Sequence, residues 1–321
     1  MSIKSKDMDF KNLKDLFTHF ANDEICRTYL EGQRWGGQIV CPYCQHSGKI
    51  YRIENGKRYK CGNAECHKKF SVTVGTIFES SKIDLRTWFG AMYLCTAHKK
   101  GISSLQLHRD LGVTQKTAWF MLQRIREMLR VEAPQMLKNT VESDETYIGG
   151  KEKNKHSDKR TKGLQGGKGK AMVVGMIERG GDLIAKHVDN KEGSVVEGIV
   201  EAYVEKGSNL MTDDAPAYVL VGSRNYVHRV VNHSAKQYVD GMCHTNTIEG
   251  FWSLLKRGIV GIYHSVSVKH LSRYCDEFSY RYNTRKISDV QRFHFSVKRV
   301  SGKRLRYAEV TAKQRPFQRV S

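Results

Sequence analysis

Short apolar runs separated by turn residues dominate the second half of the chain. Five segments are rich in β-formers, and Gly180 and Gly181 mark a turn between the second and the third. The predicted strands cover residues 139–148, 171–178, 182–189, 208–212 and 226–231, with a helix near 193–205 after the third strand. The pattern therefore predicts a mixed α/β domain that begins with a three-stranded meander.

The segment HTNTIEGFWSLLKRG, which starts at His244, is predicted to form an amphipathic helix. At about 100° per residue, its polar and apolar residues fall on opposite stripes. The polar stripe contains Asn246, Glu249, Ser253 and Lys256, and the apolar stripe contains Ile248, Trp252, Leu255 and Ile259. Glu249 and Lys256 therefore project together from a helix whose other side is buried.

Residues 83–129 have a helical pattern that is interrupted by the turn GVT. Two helices joined by so short a turn, with Gly112 between them, predict a helix-turn-helix. Gln115, Lys116 and Thr117 would open the second helix and face a DNA major groove. The alternative is a pair of packed helices without DNA contact, since short turns between helices are common.

The chain is strongly basic. It has 54 lysine and arginine residues against 33 aspartate and glutamate residues, and its formal net charge is +21. Such an excess predicts a polyanionic partner, and nucleic acid is favoured over an anionic membrane surface. No apolar run approaches the ~20 residues that a membrane-spanning helix needs, and the start MSIKSKDMDF lacks a signal-peptide core. We therefore expect a cytoplasmic protein with no membrane partner.

Four of the eight cysteines are spaced as metal ligands. CPYC and CGNAEC form two knuckles, and four thiolates at this spacing can complete a tetrahedral zinc site. The ligands would be Cys41, Cys44, Cys61 and Cys66. His67 competes with Cys66 as the fourth ligand because it directly follows the second knuckle. A site with four protein ligands has no position for a substrate, so we expect a structural Zn²⁺.

Three acidic residues suggest a second metal site, one that carries chemistry. Asp144 lies in the first predicted strand, Asp213 directly follows the fourth, and Glu249 lies on the amphipathic helix. Cutting a DNA phosphodiester requires charge stabilisation on the attacking and leaving oxygens, which two divalent ions about 4 Å apart can supply. Mg²⁺ prefers carboxylate oxygens. The element order β-β-β-α-β-α-β-α and these acids suit a ribonuclease H-like domain, in which Lys256 would meet a phosphate.

The two acids on strands have neighbours that compete for their roles. Side chains alternate along a strand, so Glu142 shares a face with Asp144 while Glu145 points away. Asp213 and Asp214 are adjacent and cannot both face one pocket from an extended segment. We favour Asp144 and Asp213, the latter because it directly follows the apolar strand.

The acid on the helix has one competitor. Asn246 lies one turn before Glu249 on the same stripe, and its amide oxygen can bind a metal. An interval of 35 residues separates Asp213 from Glu249, and this interval favours Glu249 as the third ligand.

Together these motifs resemble the zinc-ribbon DDE transposases of bacterial insertion sequences, which belong to the ribonuclease H-like integrase and transposase superfamily. The likeness spans residues 20–290 and rests on long, unusual strings. They are CPYC with CGNAEC, FSVTVGTIFESSKIDLRTWF, KKGISSLQLHRDLGVTQKTAWFMLQRIR, DETYIGGK, TDD, and HTNTIEGFWSLLKRGIVGIYH through RYNTRK. One departure is Asp214, since a small residue such as glycine is expected after the TD pair.

The resemblance implies that Asp144, Asp213 and Glu249 bind catalytic Mg²⁺ or Mn²⁺. Lys256 would be the basic residue seven positions past the last acid, and it would contact DNA together with Arg257 and the first residues of the second helix-turn-helix helix. Such enzymes bind terminal inverted repeats. Water attacks the phosphodiester at each transposon end, and the freed 3′ hydroxyl attacks target DNA without a covalent enzyme–DNA intermediate. The partner would be double-stranded DNA, and paired ends require a homo-oligomer of two or more chains.

The sequence thus predicts a multi-domain α/β chain in five segments. These are an N-terminal helical segment (1–37), a zinc ribbon (38–75), a helix-turn-helix region (76–135), a ribonuclease H-like catalytic domain (136–290) and a basic C-terminal tail (291–321). The basic, Gly-rich stretch 151–170 would be a loop that orders on DNA near Asp144. Two other functions fit parts of the pattern: a DNA-binding regulator with an inactive core, and a metal-dependent DNA nuclease such as a junction resolvase.

Overall fold

The computed structural model describes residues 10–150, 169–189, 192–215, 225–231 and 243–312, together with the single residues 156, 158, 218 and 221. The chain divides into two compact units. Unit 1 combines Met1–Leu129 with Ile287–Ser321, and unit 2 is Arg130–Lys286. Unit 1 therefore contains the cysteine motifs, and unit 2 contains the predicted catalytic acids.

Unit 1 begins with two helices and a small β-ribbon. The helices are α1 (Leu13–His19) and α2 (Asp23–Trp35), and the antiparallel ribbon consists of β1 (Ile50–Ile53), β2 (Arg58–Cys61) and β3 (Lys69–Phe70). Tyr59 and Phe70 lie on the buried face of the ribbon with ring centroids 5.5 Å apart, and the Trp35 ring lies 5.4 Å from that of Tyr59. These rings, three cysteines and a few aliphatic side chains form a very small core.

Five further helices belong to the described part of unit 1. They are α3 (Leu85–Ala97), α4 (Ser104–Leu111), α5 (Gln115–Leu129), α9 (Asp289–Val297) and α10 (Tyr307–Thr311). Helix α3 is buried on most sides, and its Phe89 packs edge-on against Phe20 at 4.9 Å and Phe293 at 5.5 Å between ring centroids. Aromatic packing therefore joins α3 to α9, which follows unit 2 in the sequence.

Helices α1, α2, α3, α4 and α9 each begin at a polar residue that caps them. A side-chain oxygen at the N-cap accepts a hydrogen bond from a backbone N–H of the first turn, which would otherwise lack a partner within the helix. Such caps are Asn12, Asn22, Asp84, Ser103 and Ser288. At the other end of α4, Gly112 adopts φ 66°, a left-handed conformation that favours glycine, and three residues separate α4 from α5.

The described part of the predicted basic tail contains buried apolar residues. Phe293 and Val297 are fully buried and lie four residues apart on α9, and Val310 on α10 is buried as well. This spacing gives α9 one apolar face. The composition of the segment does not reveal that face, because the segment is rich in lysine and arginine. Residues 291–312 thus contribute to the core of unit 1, and the remainder of the predicted tail lies outside the described residues.

Unit 2 is built on a five-stranded mixed sheet. Its strands are β4 (Thr140–Ile148), β5 (Ala171–Glu178), β6 (Leu183–Val188), β7 (Asn209–Asp213) and β8 (Val227–Val231). Its helices are α6 (Gly193–Tyr203), α7 (Asn246–Gly258), which continues as a π-helical segment Ile259–Tyr263, and α8 (Val268–Asn283). The strand order is β6-β5-β4-β7-β8; β4, β5 and β6 pair antiparallel, whereas β7 is parallel to both β4 and β8.

Apolar clusters cover both faces of the central strands of this sheet, whereas Val227 and Val230 of the edge strand β8 are exposed. Along β5, Met172, Val174 and Met176 face a cluster that includes Val196 and Val200 of α6. The alternate residues face a second cluster, which contains α7 and α8; they are Ala171, Val173 and Ile177. Because successive side chains of a strand point to opposite faces, one apolar strand serves both layers. The sheet therefore lies between α6 and the pair α7 and α8.

The predicted mixed α/β fold class is confirmed. The five predicted strands and the helix after β6 all lie within two residues of their expected ends. The predicted helix between β7 and β8 and most of the basic stretch 151–170 lie outside the described residues. In the described part of the chain, no helix is both long enough and apolar enough to cross a membrane.

Gly175 provides room for α7 against the sheet. A Cβ at Gly175 would lie 2.5 Å from Cη2 of Trp252 and 2.9 Å from Cδ1 of Ile248. We expect Gly175→Ala to lower the free energy of unfolding by about 1–3 kcal/mol, because the indole would have to move. Gly198→Ala on α6 is the control, since nothing lies within 4 Å of its added Cβ; alanine there should raise stability by about 0.5–1 kcal/mol. Urea denaturation measures the free energy of unfolding of both variants. If the two substitutions changed it by the same amount in the same direction, this packing would be contradicted.

Candidate functional site

Three carboxylates converge where β4 and β7 end their pairing. Asp144, Glu145 and Asp213 each offer one oxygen, and these oxygens all lie within 4.8 Å of one another. The parallel pairing stops at Glu142 and Met211. Asp144 and Asp213 each lie two residues beyond that pair, so their side chains meet on one face of the sheet. We call these three residues the acid cluster.

The acid cluster carries negative charge at close range. Burial raises the pKa of the Asp144 carboxyl to about 7, and repulsion from Asp213 and Glu145 adds to that effect. Burial and repulsion from Asp213 also raise the pKa of Glu145 to about 7. Carboxylates that disfavour each other in this way are suited to a divalent cation, which removes the repulsion and takes oxygen ligands.

Glu145 departs from the sequence-based expectation that it would point away. Adjacent residues of a strand do start on opposite faces, but β4 has no β7 neighbour beyond Glu142. A carboxylate oxygen of the longer glutamate side chain nevertheless lies within 4.8 Å of oxygens of Asp144 and Asp213. The only signal that the sequence offered is that Glu145 directly follows Asp144 within the predicted strand 139–148.

Trp252 is a further site residue that the sequence did not indicate. Its indole Nε1–H donates to Oδ2 of Asp144 at 2.8 Å, while the backbone N–H of Glu145 donates to Oδ1 at 2.8 Å. The ring itself lies on the apolar face of α7, as predicted, and is buried. Its polar edge thus fixes the Asp144 carboxylate while its apolar body packs into the core.

Glu142, the alternative to Asp144, lies in a different environment. It is fully buried and outside the acid cluster, and its nearest cation is Arg179, whose Nε donates to Oε1 at 2.7 Å. Its Oε2 accepts from the backbone N–H groups of Thr247 at 2.8 Å and Ile248 at 3.1 Å, which belong to the first turn of α7. Glu142 is therefore bound to a helix N-terminus and is not placed to hold the same cation as Asp144.

The structure does not bring Glu249 into the acid cluster. Glu249 is exposed on α7, and its Oε1 accepts from the hydroxyl of Thr245 at 3.0 Å. Its competitor Asn246 is exposed at the first position of the helix. Lys256 and Arg257 lie in the last turn and are also exposed, and Arg257 Nε donates to the Ser253 carbonyl at 3.1 Å. The polar stripe of α7 is thus on the surface, as its spacing predicts.

Asp214, the neighbour of Asp213, is exposed and outside the acid cluster. Asp213 is half-buried, and its Oδ1 accepts from the backbone N–H of Ala215 at 3.2 Å. The end of β7 therefore directs the first aspartate of the pair toward β4.

Four cysteine sulfurs form a separate cluster in unit 1. The Sγ atoms of Cys41, Cys44, Cys61 and Cys66 lie within 4.8 Å of one another. Cys41 and Cys66 are 3.8 Å apart, and Cys44 and Cys61 are 3.7 Å apart. A zinc–sulfur bond of about 2.3 Å in a tetrahedron requires sulfurs ~3.8 Å apart, so the cluster fits Zn²⁺. The exposed His67 is outside the cluster, whereas Cys66 belongs to it.

The first residues of α5 are accessible. Gln115 and Lys116 are exposed and Thr117 is half-buried, whereas Met121–Leu129 are buried. Gln115 Nε2 donates to Ser104 Oγ at 2.9 Å, and Lys116 Nζ lies 5.1 Å from the ring centroid of Tyr307. The second helix of the pair therefore presents only its N-terminal end, which is the part that a helix-turn-helix uses to contact bases.

Two family models match the chain. Residues 136–283 match the ISXO2-like transposase domain, and residues 21–69 match the transposase zinc-ribbon domain. The chain is also 28% identical over 276 residues to a protein of Halobacterium salinarum described as an uncharacterized protein in transposable element ISH50. That match covers 82% of this chain and 91% of the relative. The acid cluster and the cysteine cluster each fall within one of the two matched domains.

Proposed function

This chain carries a transposase zinc-ribbon domain and an ISXO2-like transposase domain, and from that premise we propose that it is the DNA transposase of an insertion sequence. It would bind the terminal inverted repeats of its element and carry out metal-dependent strand cleavage and strand transfer by in-line phosphoryl transfer. The observation that carries this proposal is the acid cluster, which lies inside the matched transposase domain.

Asp144 and Asp213 would hold Mg²⁺ or Mn²⁺, with Glu145 or Glu249 as a further carboxylate ligand. When bound, divalent ions stabilise charge on the attacking and leaving oxygens of the phosphodiester. Trp252 and the Glu145 N–H keep the Asp144 carboxylate in one orientation. To reach the cluster, the Glu249 side chain would exchange its hydrogen bond with Thr245 for a metal contact.

DNA contacts would come from both units. Gln115, Lys116 and Thr117 at the start of α5 would read the terminal repeat in a major groove. Lys256 and Arg257 at the end of α7 would bind phosphates near the scissile bond. The formal charge of +21 supports a polyanionic partner. Paired transposon ends would bring at least two chains together.

Mobilisation of a marker tests this function. The marker is flanked by the DNA ends that surround this gene, and wild type is compared with Asp213→Ala in cells. Movement with wild type alone supports a transposase that uses Asp213. If neither protein moves the marker and both bind the ends equally, a DNA-binding regulator with an inactive core is the better description. Cutting without joining would favour a nuclease.

The affinity of the acid cluster for Mn²⁺ should rise between about pH 6 and about pH 8. The carboxyls of Asp144 and Glu145 each have a pKa near 7 without metal, so protons compete with the cation below that pH. We expect about a tenfold gain per titrating group across this window. Calorimetric titration in two buffers of different ionisation enthalpy gives both affinity and proton release. Glu145→Gln should remove one group and weaken the dependence, and a pH-independent affinity would contradict the assignment.

A further inference from the structure

Helix α7 lacks the usual local cap at its N-terminus. The N-cap position is Thr245, but its side chain makes no capping hydrogen bond and its hydroxyl donates to Glu249 instead. The first N–H groups of a helix require acceptors. Here Glu142 on β4 supplies them, since its Oε2 accepts from the N–H groups of Thr247 and Ile248 and its Oε1 accepts from the Thr247 hydroxyl at 2.9 Å.

A cation and several hydrogen-bond donors surround the Glu142 carboxylate at the start of α7. Its side chain has 0% exposure, so an ionised carboxylate there requires a cation and several donors. Arg179 donates to it from the end of β5, and a second nitrogen of Arg179 donates to the His244 carbonyl at 2.9 Å, just before α7. His244 Nδ1 lies 3.2 Å from Oε1 of Glu142. Strands β4 and β5 and the start of α7 are therefore bound to one carboxylate.

A second connection between α7 and β4 lies one helical turn away. Trp252 donates to Asp144, which is two residues after Glu142 on the strand. Two residues advance a strand by about 7 Å, and the four residues from Ile248 to Trp252 advance a helix by about 6 Å. The two spacings match, so Glu142 and Asp144 accept hydrogen bonds from consecutive turns of α7. Glu249 lies between these two attachment points.

We propose that Glu142 is a positioning residue for the acid cluster. It supplies the cap of α7 from the strand that carries Asp144, and it thereby sets where α7 presents Trp252 to Asp144 and where Glu249 and Lys256 stand. The proposal rests on the proposed function for its effect on cleavage, but not for its effect on Trp252. A local cap would stabilise the helix equally well, whereas a cap from β4 also sets the register of α7 on that strand.

The matched control is Glu277 on α8. Like Glu142 it has 0% exposure and binds an arginine in unit 2, in this case Arg281, and it also accepts from the Tyr263 hydroxyl at 2.6 Å. Glu142→Gln and Glu277→Gln each weaken one buried arginine pair. A purely structural role predicts that the two variants behave alike.

The first readout needs no activity. The chain has four tryptophans, so ¹⁵N-tryptophan labelling gives four indole N–H resonances, and Trp252→Phe identifies that of Trp252. In the full-length protein, Glu142→Gln should shift or broaden the Trp252 resonance, and Glu277→Gln should leave it in place. Thr247→Ala removes only one donor to Glu142 and should shift the Trp252 resonance in the same direction by a smaller amount. This variant replaces Glu142→Gln in the experiment if Glu142→Gln does not fold. An unmoved Trp252 resonance in both Glu142→Gln and Thr247→Ala overturns the proposal.

The second readout is cleavage of end DNA at increasing Mn²⁺ concentration. Glu142→Gln should raise the Mn²⁺ concentration for half-maximal cleavage about tenfold and lower the saturated rate about 100-fold, in the range seen when supports of metal ligands are removed. Glu277→Gln should leave the metal requirement unchanged. Identical metal requirements in the two variants would overturn the proposal. Absence of cleavage by wild type would instead count against the proposed function, and the resonance of Trp252 would still decide the role of Glu142.

Discussion

Replacing Asp144 by asparagine should abolish strand cleavage and at the same time make the metal-free protein more stable. The loss of cleavage follows because an amide binds Mg²⁺ or Mn²⁺ far more weakly than a carboxylate. We expect the cleavage rate to fall by about 10³- to 10⁵-fold, which corresponds to about 4–7 kcal/mol of transition-state stabilisation. The asparagine oxygen can still accept from the indole of Trp252, whereas the amide NH2 would then face the backbone N–H of Glu145 and cost one of the two hydrogen bonds.

The gain in stability follows from the pKa of the Asp144 carboxyl. It is about 7 in the folded protein, against an ordinary value of 3.8. Between these values the unfolded chain releases its proton while the folded chain retains it, so stability falls as the pH rises through this window. Asparagine has no charge and avoids this loss. We expect the free energy of unfolding to increase by about 1–2 kcal/mol at about pH 8, and the difference from wild type to vanish near about pH 4.

Asp214→Asn is the control for this pair of measurements. Asp214 is exposed and adjoins Asp213, yet it is outside the acid cluster. Cleavage of labelled end DNA and urea denaturation without added Mg²⁺ or Mn²⁺ should both give wild-type values for this variant. If Asp144→Asn cleaves DNA normally while Asp214→Asn does not, the assignment of the metal ligands is wrong.

Removing zinc should unfold the ribbon and leave the sheet of unit 2 intact. The ribbon core consists of three aromatic rings, three of the cysteines and three aliphatic side chains, and it is too small to fold by apolar burial alone. Structural zinc contributes about 10–16 kcal/mol of apparent binding free energy in small zinc domains. A chelator that releases one zinc per chain should therefore abolish hydrogen-exchange protection at Tyr59 and Lys60, while Val173 and Val174 of β5 stay protected.

Two substitutions separate the ligands of this zinc site. Cys66→Ser should lower the zinc content and loosen the ribbon, since its Sγ lies 3.8 Å from that of Cys41. His67→Ala should retain one zinc per chain, because His67 is exposed and outside the cysteine cluster. Protection at Tyr59 that persists after complete zinc release would refute a structural role for the metal.

Local patterns in the sequence were sufficient to predict the strands of unit 2, its helices α6 and α7, and the four residues of the cysteine cluster. Strand ends depend on turn residues and on runs of β-formers, and both are short-range features. The knuckle CPYC holds two ligands within four residues, so little of the fold is needed to bring them together. The polar stripe of α7 also follows from helix periodicity alone, and Glu249, Lys256 and Arg257 are exposed as that periodicity requires.

The tertiary structure alone decided which acids meet. Asp144 and Asp213 are 69 positions apart in sequence, and they converge because β4 pairs in parallel with β7 and that pairing ends at Glu142 and Met211. Strand partners and register are long-range choices that no local pattern specifies. Glu145 joins the cluster because the end of β7 brings Asp213 within reach of its side chain, and the position of that strand end is a property of the sheet and not of the residue.

Packing also decided which hydrogen bonds the side chains make, and the periodicity of the sequence does not predict these. Trp252 occupies the predicted apolar stripe, but only its position over Gly175 brings the indole N–H to Asp144. Glu142 resembles a catalytic acid in the sequence, and only the approach of α7 makes it the cap of that helix. Local sequence therefore determined which residues were available, whereas contacts between distant segments determined their roles, because hydrogen-bond partners of buried polar groups depend on how whole elements pack.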